Sequence, residues 1–249
     1  ALQLAQDLGY AEADPTADIE GLDAGRKVAI LASAAFNSRV VFENVYTEGI
    51  ARITARDILY AKEMGCEIKL LGVARLTQEG IEARVHPMLI DSDHPLASVQ
   101  DSYNAVFVRG DAVQDTMFYG RGAGELPTAS AVVGDIFDCV RNILADCCGR
   151  IGCTCYKDLP VRKISDIKSK YFVRMEVEDR SGVLASVAAV FGNNDVSIAQ
   201  VMQKRKRSEL AEIVVITETV QERHFMDAIR ILEGMSLIRN ISSLIRVYG

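Results

Sequence analysis

Apolar residues recur at two different periods along the chain, and both periods appear before residue 155. Three stretches have the spacing of an amphipathic helix, KVAILASAAF, ITARDILYAKEM and TASAVVGDIFDCVRNIL. Between them, CEIKLLGVARLT, EARVHPMLI and the pair YNAVFVRG and VQDTMFYG have the composition and alternation of strands. This order predicts an α+β fold with a mixed, mostly antiparallel sheet and helices on one face. Thr128 is expected to cap the helix that ends at Leu144.

The pattern changes after a polar segment that contains one proline, residues 156–170. This segment predicts a linker. Beyond it, strand and helix patterns follow in the order βαββαβ from Tyr171 to Gly249, which is typical of a ferredoxin-like unit that can fold as a compact domain. The sequence therefore predicts two domains, residues 1–155 and residues 171–249.

Composition and charge exclude few classes of protein. The chain has 28 basic and 34 acidic residues, for a net charge of -6, which argues against nucleic acid or an anionic membrane as a partner. It contains no apolar run long enough to span a bilayer and no leader pattern, so we predict a cytoplasmic protein. Because ALQLAQDLG has helical spacing and no initiator Met, we expect more sequence upstream of Ala1.

Four of the six cysteines, Cys147, Cys148, Cys153 and Cys155, fall within DCCGRIGCTC. Four thiols this close could bind zinc, but their spacing differs from the paired C-x2-C of zinc ribbons and fingers. We favour free thiols and predict no metal site, and the role of the cluster stays open. His86 and His94 each precede a proline and are interpreted as structural residues.

The strongest chemical signal is YAEADPTADIEGLDAGRK, which places five carboxylates directly before an apolar helix. Asp23 and Lys27 are four residues apart, so on a helix they share one face and can pair. Such a pair is most often a solvated surface contact that contributes about 0.3 to 0.5 kcal/mol. The surrounding pattern decides between that interpretation and a catalytic one.

That pattern resembles the signature of homoserine dehydrogenase. The matching positions are Ala5, Gly9, Tyr10, Ala11, Asp14, Pro15, Asp18, Ile19, Gly21, Asp23 and Lys27. The resemblance continues through GIARITARDILYAKEMG, NAVFVRGDAV and YGRGAGELPTASAVVGDI, and so extends from Ala1 to Leu144. It identifies the first predicted domain as the substrate-binding and dimerisation part of that family. EDRSGVLASVAAVF, near the start of the second domain, resembles an ACT domain, a module that senses amino acids.

The resemblance implies NAD- or NADP-dependent interconversion of L-homoserine and L-aspartate 4-semialdehyde, in threonine, methionine and isoleucine biosynthesis. It assigns proton transfer or alkoxide stabilisation to Lys27, with Asp23 holding it, and substrate binding to Glu12 and Asp18. The turn Gly122, Ala123 and Gly124 would close over the nicotinamide, although it is also readable as a turn that simply starts a helix. The chain has no glycine-rich turn of a Rossmann domain, so we expect the cofactor to be bound mainly elsewhere.

For the second domain, the resemblance implies an effector site at the turn between its first strand and first helix, where backbone N–H groups receive a carboxylate. The predicted site residues are Asp179, Arg180, Ser181, Gly182, Val183, Leu184, Ser197 and Ile198. L-threonine is the expected effector, and a homodimer or higher homo-oligomer the expected assembly. Ser181 stands where many family members have proline. The alternative is that this domain serves only dimerisation.

Two other functions remain open at the level of sequence. One is a stand-alone amino-acid-binding regulatory protein without catalysis. Asp23 and Lys27 argue against it, since a pure sensor needs no proton donor. The other, a different semialdehyde-handling dehydrogenase, is disfavoured by the completeness of the signature. The choice between NAD and NADP is open as well.

Overall fold

The computed structural model describes residues 2–7, 9, 13–147, 149, 152–205 and 210–249. Its helices are α1 Leu2–Asp7, α2 Thr16–Ile19, α3 Leu22–Phe36, α4 Ala55–Glu63, α5 Glu125–Leu144, α6 Val183–Asn193 and α7 Glu222–Glu233. Its strands are β1 Tyr46–Thr47, β2 Cys66–Thr77, β3 Gly80–Asp91, β4 Tyr103–Gly110, β5 Gln114–Arg121, β6 Lys168–Glu178, β7 Ile198–Arg205, β8 Leu210–Thr217, β9 Val220–Gln221 and β10 Ile238–Val247. These elements confirm the predicted α+β class.

One mixed sheet runs through both predicted domains. Its strand order is β1-β3-β10-β6-β8-β7, with β2 paired to β3 and β9 paired to β6, while β4 and β5 form a separate hairpin. Strand β3 is parallel to both β1 and β10, and the other pairings are antiparallel. The junction between the two halves is the β3–β10 pairing, in which Met88 faces Arg246 and Leu89 faces Val247.

The second half of the chain has the predicted βαββαβ order. Its four long strands lie in the order β10-β6-β8-β7, which is the ferredoxin-like arrangement. Helices α6 and α7 pack against it with fully buried side chains, among them Val187, Phe191 and Phe225. The Phe225 ring stacks on Tyr171 with a centroid separation of 3.7 Å. Burial of these large apolar groups is the main stabilising term of the unit.

Helix α3 covers β2 and β3 in the first half of the chain. Its buried face consists of Val28, Ala29 and Ala32. At Gly72 of β2, an added Cβ would lie 2.4 Å from Val28 Cγ2, so the helix approaches the sheet closely there. Helix α4 begins with a reciprocal cap in which the Thr54 hydroxyl accepts from the Asp57 backbone N–H and the Asp57 carboxylate accepts from the Thr54 N–H.

The prediction that Thr128 caps α5 is wrong. The helix begins at Glu125, and the Thr128 N–H already donates to the Gly124 carbonyl. Gly124 precedes the helix with a φ of 114°, which glycine adopts without strain. Pro127 fits in the first turn, where the missing N–H would have no intrahelical partner.

The segment predicted as a linker packs against the first half of the chain. The Leu159 N–H donates to Ser38 Oγ at 3.0 Å, and the Ile81 N–H donates to the Pro160 carbonyl at 2.8 Å. Leu159 and Val161 also pack against the core beneath α3. Hydrogen bonds and a shared sheet thus cross the domain limits drawn from the sequence. Those limits stay predictions.

Helix α5 buries none of its 20 residues against the rest of the described chain. Its exposed apolar side chains include Leu126, Val132, Val133, Ile136, Phe137, Val140, Ile143 and Leu144. Among the residues that the structure describes, no helix combines the length and the apolar character that crossing a bilayer requires.

Candidate active site

The predicted catalytic pair lies at the start of helix α3. Gly21 precedes the helix with a φ of 72°, a left-handed conformation that favours glycine. The helix therefore begins at Leu22, and Asp23 falls in its first turn with Lys27 one turn later. Lys27 Nζ lies 2.6 Å from Asp23 Oδ2.

The ion pair is accessible, since the side chains of Lys27 and Asp23 are 60% and 48% exposed. A pair with that exposure contributes little to stability, about 0 to 1 kcal/mol. The helix backbone beneath the pair is nevertheless held in place, because it approaches its neighbours closely. An added Cβ at Gly25 would lie 2.6 Å from Phe42 Cε2. The structure thus holds an accessible cation and its carboxylate on a rigid helix.

Within the acidic segment before α3, residues 16–19 form the short helix α2, and the carboxylates of Asp14, Asp18 and Glu20 are exposed. Asp18 is exposed on α2, and its backbone carbonyl accepts from the Gly21 N–H at 3.2 Å. Asp14 accepts from the Thr16 hydroxyl at 2.6 Å and from its N–H at 3.1 Å, and these hydrogen bonds lower the pKa of Asp14. Glu12, the other predicted substrate ligand, lies outside the described residues.

The glycine-rich turn leads from β5 into α5. The Gly122 N–H donates to the Ser102 carbonyl at 3.1 Å. A Cβ at Gly122 would lie 1.9 Å from Nδ2 of the exposed Asn104 side chain, so a larger residue there requires that side chain to turn away. At Gly124 the nearest atom to an added Cβ is 3.5 Å away, and Ala123 is partly buried. The structure describes all the predicted catalytic, substrate and cofactor residues except Glu12. Among those described residues, one ion pair is found, between Asp23 and Lys27.

The predicted effector turn connects β6 to α6. Gly182 has a φ of 88° and precedes α6, and no side chain among the described residues caps the helix. Arg180 pairs with Glu178 at 3.1 Å, and Val183 is buried and anchors the first turn. Asp179 and Ser181 are exposed, and Leu184 is 40% exposed. The amino end of α6 is therefore open to a ligand that carries a carboxylate.

Ser197 and Ile198 lie at the opposite end of α6 from this turn. Ser197 is exposed, its carbonyl accepts from the Glu218 N–H at 2.8 Å, and Ile198 opens β7. An 11-residue helix separates the two places by about 16 Å. Within one chain they do not form a single site, so a site that uses both needs a second copy.

A buried polar cluster between the two halves of the chain was not predicted. The Arg174 guanidinium of β6 bonds Asp57 of α4 at 2.9 Å and Glu212 of β8 at 3.2 Å. Glu212 also accepts from the Tyr60 hydroxyl at 2.6 Å and from Arg56 Nε at 2.8 Å. The available signal was a charged residue at an inward position of an apolar strand, as in YFVRMEV and LAEIVVI.

The electrostatics of this cluster follow from burial and charged partners. Burial alone would raise the pKa of Asp57, but hydrogen bonds from Arg174 and Thr54 more than offset it and the pKa is lowered. Glu212 behaves alike: burial is outweighed by hydrogen bonds from Tyr60 and Arg174, and its pKa is also lowered. Burial, followed by the Glu212 carboxylate, raises the pKa of Tyr60 to about 12.

An open cleft of about 540 Å³ borders this cluster. Its lining residues are Ala55, Arg56, Leu59, Tyr60 and Lys204. None of the predicted site residues lines it. The two histidines interpreted as structural also lie elsewhere: His86 is fully buried, and the ring of His94 packs 4.9 Å from those of Phe107 and Tyr248.

The described cysteines, Cys66, Cys139, Cys147, Cys153 and Cys155, are free thiols. Cys148 lies outside the described residues. Within the described part of the chain, no three cysteine, histidine or carboxylate side chains converge as metal ligands do. The role of the cluster is not settled by this arrangement.

Both halves of the chain match known protein families. Residues 1–137 match the family model described as homoserine dehydrogenase, and residues 171–234 match that of the ACT domain. A homoserine dehydrogenase of Neisseria gonorrhoeae is 43% identical over 252 residues, covering 99% of this chain and 58% of the relative. That of Corynebacterium glutamicum is 44% identical, covering 96% of this chain and 55% of the relative.

Solved structures give the same result. A crystal structure of a homoserine dehydrogenase from Thiobacillus denitrificans matches with a TM-score of 0.91 and 41% identity, over 100% of this chain and 57% of that one. That of Staphylococcus aureus at pH 6.0 matches with a TM-score of 0.70 and 33% identity, over 100% of this chain and 58% of that one. The chain spans less than three fifths of the relatives that it matches. By its sequence and its fold alike, the chain belongs to the homoserine dehydrogenase family.

Proposed function

We propose that the chain forms the substrate-binding and regulatory part of an NAD- or NADP-dependent homoserine dehydrogenase. The reaction interconverts L-homoserine and L-aspartate 4-semialdehyde, in the biosynthesis of threonine, methionine and isoleucine. The observation that carries this proposal is the accessible Asp23–Lys27 ion pair on the first two turns of α3. It supplies the polar group that the reaction requires beside the substrate oxygen.

Reduction of the aldehyde builds negative charge on its oxygen, and that charge needs a proton or a positioned cation. Lys27 carries the ammonium for this role. In the reverse direction the same side chain, as a neutral amine, would accept the hydroxyl proton of homoserine and return to the ammonium. Asp23, at 2.6 Å, orients the ammonium and keeps it next to the reacting oxygen. The rigid helix is what makes such positioning effective.

Recognition of the substrate falls to the acidic segment. Both homoserine and aspartate semialdehyde carry an α-ammonium, and carboxylates are its natural partners. Asp18, exposed on α2, is one of the two carboxylates that we assign to it. Glu12 is the second by resemblance to the family. This division leaves Lys27 free to act at the other end of the substrate.

The described residues do not by themselves form a dinucleotide site, because they lack the strand, glycine turn and helix that bind a pyrophosphate. We propose that NADP or NAD is bound mainly by a part of the enzyme that corresponds to the portion of the relatives outside this chain. When bound, the nicotinamide supplies or accepts the hydride. Toward it the chain offers the turn of Gly122, Ala123 and Gly124, which leads from β5 into α5.

We assign feedback regulation to the ACT unit, with L-threonine as the effector and a homodimer as the smallest assembly. The open amino end of α6 supports a site for the effector carboxylate. The positions of Ser197 and Ile198 at the other end of α6 support a site shared by two copies. Cytoplasmic localisation stays a prediction from the sequence.

The test is NADPH and NADH oxidation with aspartate semialdehyde. It compares this 249-residue chain with the product of its full reading frame, with and without threonine. We expect activity in the product of the full reading frame and a lower rate in the presence of threonine. An active enzyme that threonine does not inhibit would contradict the proposed regulation alone.

A full-length product that oxidises neither cofactor, yet binds homoserine or threonine in calorimetric titration, would contradict the proposed catalysis. It would favour the alternative of an amino-acid-binding regulatory protein. The controls are the same assays without semialdehyde, which measure background oxidation.

A further inference from the structure

A second buried charge cluster connects the last strand of the chain with the region beside the candidate active site. Its centre is Arg246 of β10, whose side chain is 9% exposed. Its Nε donates to Glu222 Oε2 at 3.0 Å, and its Nη1 donates to Glu48 Oε2 at 2.9 Å. The Tyr46 hydroxyl donates to the same Glu48 oxygen at 3.0 Å. Burial opposes the charge of Arg246, but Glu222 more than offsets it and the pKa is raised.

Glu48 connects this cluster to the acidic segment, because the two residues that follow it in the chain contact that segment. It follows β1, and its N–H donates to the Val85 carbonyl of β3 at 2.8 Å. Two residues later, the Ile50 N–H donates to the Ile19 carbonyl at 2.8 Å. Between them, an added Cβ at Gly49 would lie 2.4 Å from the Ile19 carbonyl oxygen. Residues 48–50 therefore press directly on the end of α2.

The contact continues into the turn that starts α3. An added Cβ at Gly21 would lie 3.5 Å from Thr47 Cγ2 and 3.2 Å from Val85 Cγ1. Residues 19–21, which rest on this support, lie between Asp18 and Asp23. A shift of residues 47–50 would thus move Asp18, the described carboxylate proposed to bind the substrate. The side chain of Glu48 is held by a cation that belongs to the regulatory half of the chain.

We propose that Glu48 and Arg246 form a positioning pair, which sets the place of the substrate-binding segment by tying residues 46–50 to the final strand of the ACT unit. This inference rests on the proposed function. Glu48 is a positioning residue and does not touch the substrate. Helix α3 is held in addition by β2, where Gly72 leaves room for Val28, so the pair acts on substrate binding more than on proton transfer.

The test uses Glu48→Ala and Glu48→Gln in the product of the full reading frame, with Glu43→Ala as the matched control. Glu43 is exposed and lies five residues before Glu48. Changing Glu48 leaves Arg246 paired with Glu222, whereas removing Arg246 would leave Glu222 buried without its cation and endanger the fold. Circular dichroism melts confirm that each variant is folded.

For Glu48→Ala we expect KM for homoserine to rise on the order of 10-fold with kcat within about 2-fold. Glu48→Gln, which keeps the hydrogen-bond acceptor, is expected to recover part of that loss. The control is expected to match the unmodified protein. An unchanged KM in Glu48→Ala, or an equal change in Glu43→Ala, would overturn the inference.

Hydrogen exchange separates this inference from the proposed function because it needs no activity. In Glu48→Ala the Ile50 amide is expected to exchange at least about tenfold faster, while amides of the β6–β8 pairing keep their protection. Unchanged exchange at Ile50 would contradict the positioning role whether or not the protein is active. If the unmodified protein is inactive but Ile50 responds as expected, the proposed function fails and the structural link stands.

Discussion

The charged side chains between the two halves of the chain are buried, whereas the candidate catalytic pair lies on the surface. The side chains of Asp57 and Glu212 are fully buried, and that of Arg174 is 5% exposed. Both carboxylates bond the Arg174 guanidinium, and Glu212 pairs with Arg56 as well. The Asp23–Lys27 pair, by contrast, is exposed, and its loss is expected to change the free energy of unfolding little. Stability and function are therefore expected to depend on different residues.

Replacing Arg174 by methionine is expected to destabilise the fold by about 3 to 5 kcal/mol, because it leaves Asp57 buried without its cation and Glu212 with Arg56 alone as its cation. The measurement is urea denaturation followed by circular dichroism. Arg109→Met is the matched control, since Arg109 pairs with Asp115 on the surface at 2.7 Å. That change is expected to cost no more than about 1 kcal/mol. Equal losses in the two variants would contradict the account.

The acid stability of the fold follows from the same carboxylates. Because the pKa values of Asp57 and Glu212 are lowered in the folded chain, the unfolded chain binds more protons as the pH falls. Their contribution is full above the unfolded values, about 4, and is lost as the pH falls through the folded values. Urea denaturation between pH 6 and pH 3 is expected to show this decline.

Glu212→Gln is expected to make this decline shallower, whereas Glu233→Gln, at an exposed position of α7, is expected to leave it unchanged. The free energy of unfolding of Glu212→Gln should be lower near neutral pH, because the charged acceptor of Arg174 is gone. A decline with the same slope in Glu212→Gln would show that other groups cause it.

Among the elements, α3 is the one whose placement matters most for the candidate active site. It carries Asp23 and Lys27, and it approaches β2 where Gly72 leaves room for Val28. Gly72→Ala is expected to destabilise the chain by about 1 to 3 kcal/mol through overpacking and to lower activity by shifting the helix. Thermal unfolding and turnover measure the two effects.

Gly134→Ala is the control, since α5 has open space at that position. A helical glycine replaced by alanine without a clash is expected to stabilise by up to about 1 kcal/mol. If Gly72→Ala were as harmless as Gly134→Ala, the close approach of α3 to the sheet would be disproved.

Local sequence patterns predicted the elements whose formation depends on nearby residues. Period and turn residues identified strands β2 to β5, helix α4 and the βαββαβ order of the second half. They did not locate the start of α3 or α5, since each depends on one glycine with a positive φ. The two-residue strands β1 and β9 are too short to show a period. The parallel pairing of Met88 with Arg246 is a contact between distant residues, and no local pattern contains it.

For the candidate site, the i, i+4 spacing predicted the Asp23–Lys27 contact because a helix brings those positions together. The buried pairs of Arg174 and Arg246 were missed for the opposite reason. Charged residues are usually exposed, and only the fold shows which partner offsets their burial. Gly122 faces the exposed Asn104 side chain, and its assignment to the cofactor stays a prediction.

The whole molecule is expected to unfold as one unit. Eight strands share a sheet, and buried ion pairs cross between the halves. Differential scanning calorimetry of the 249-residue chain is expected to give a single transition in which the calorimetric and van't Hoff enthalpies agree. Two separate transitions would mean that the halves are independent domains, as the sequence pattern alone suggested.

The central claim is that Lys27 serves the chemical step, and its most direct test is the turnover of Lys27→Ala in the product of the full reading frame. Arg26→Ala is the control, since Arg26 is an exposed cation on the same helix that lies over the Phe42 ring. We predict a loss of about 10²- to 10⁴-fold in kcat for Lys27→Ala with cofactor binding unchanged, and near-normal turnover for Arg26→Ala. Equal turnover in Lys27→Ala and the unmodified protein would contradict the account.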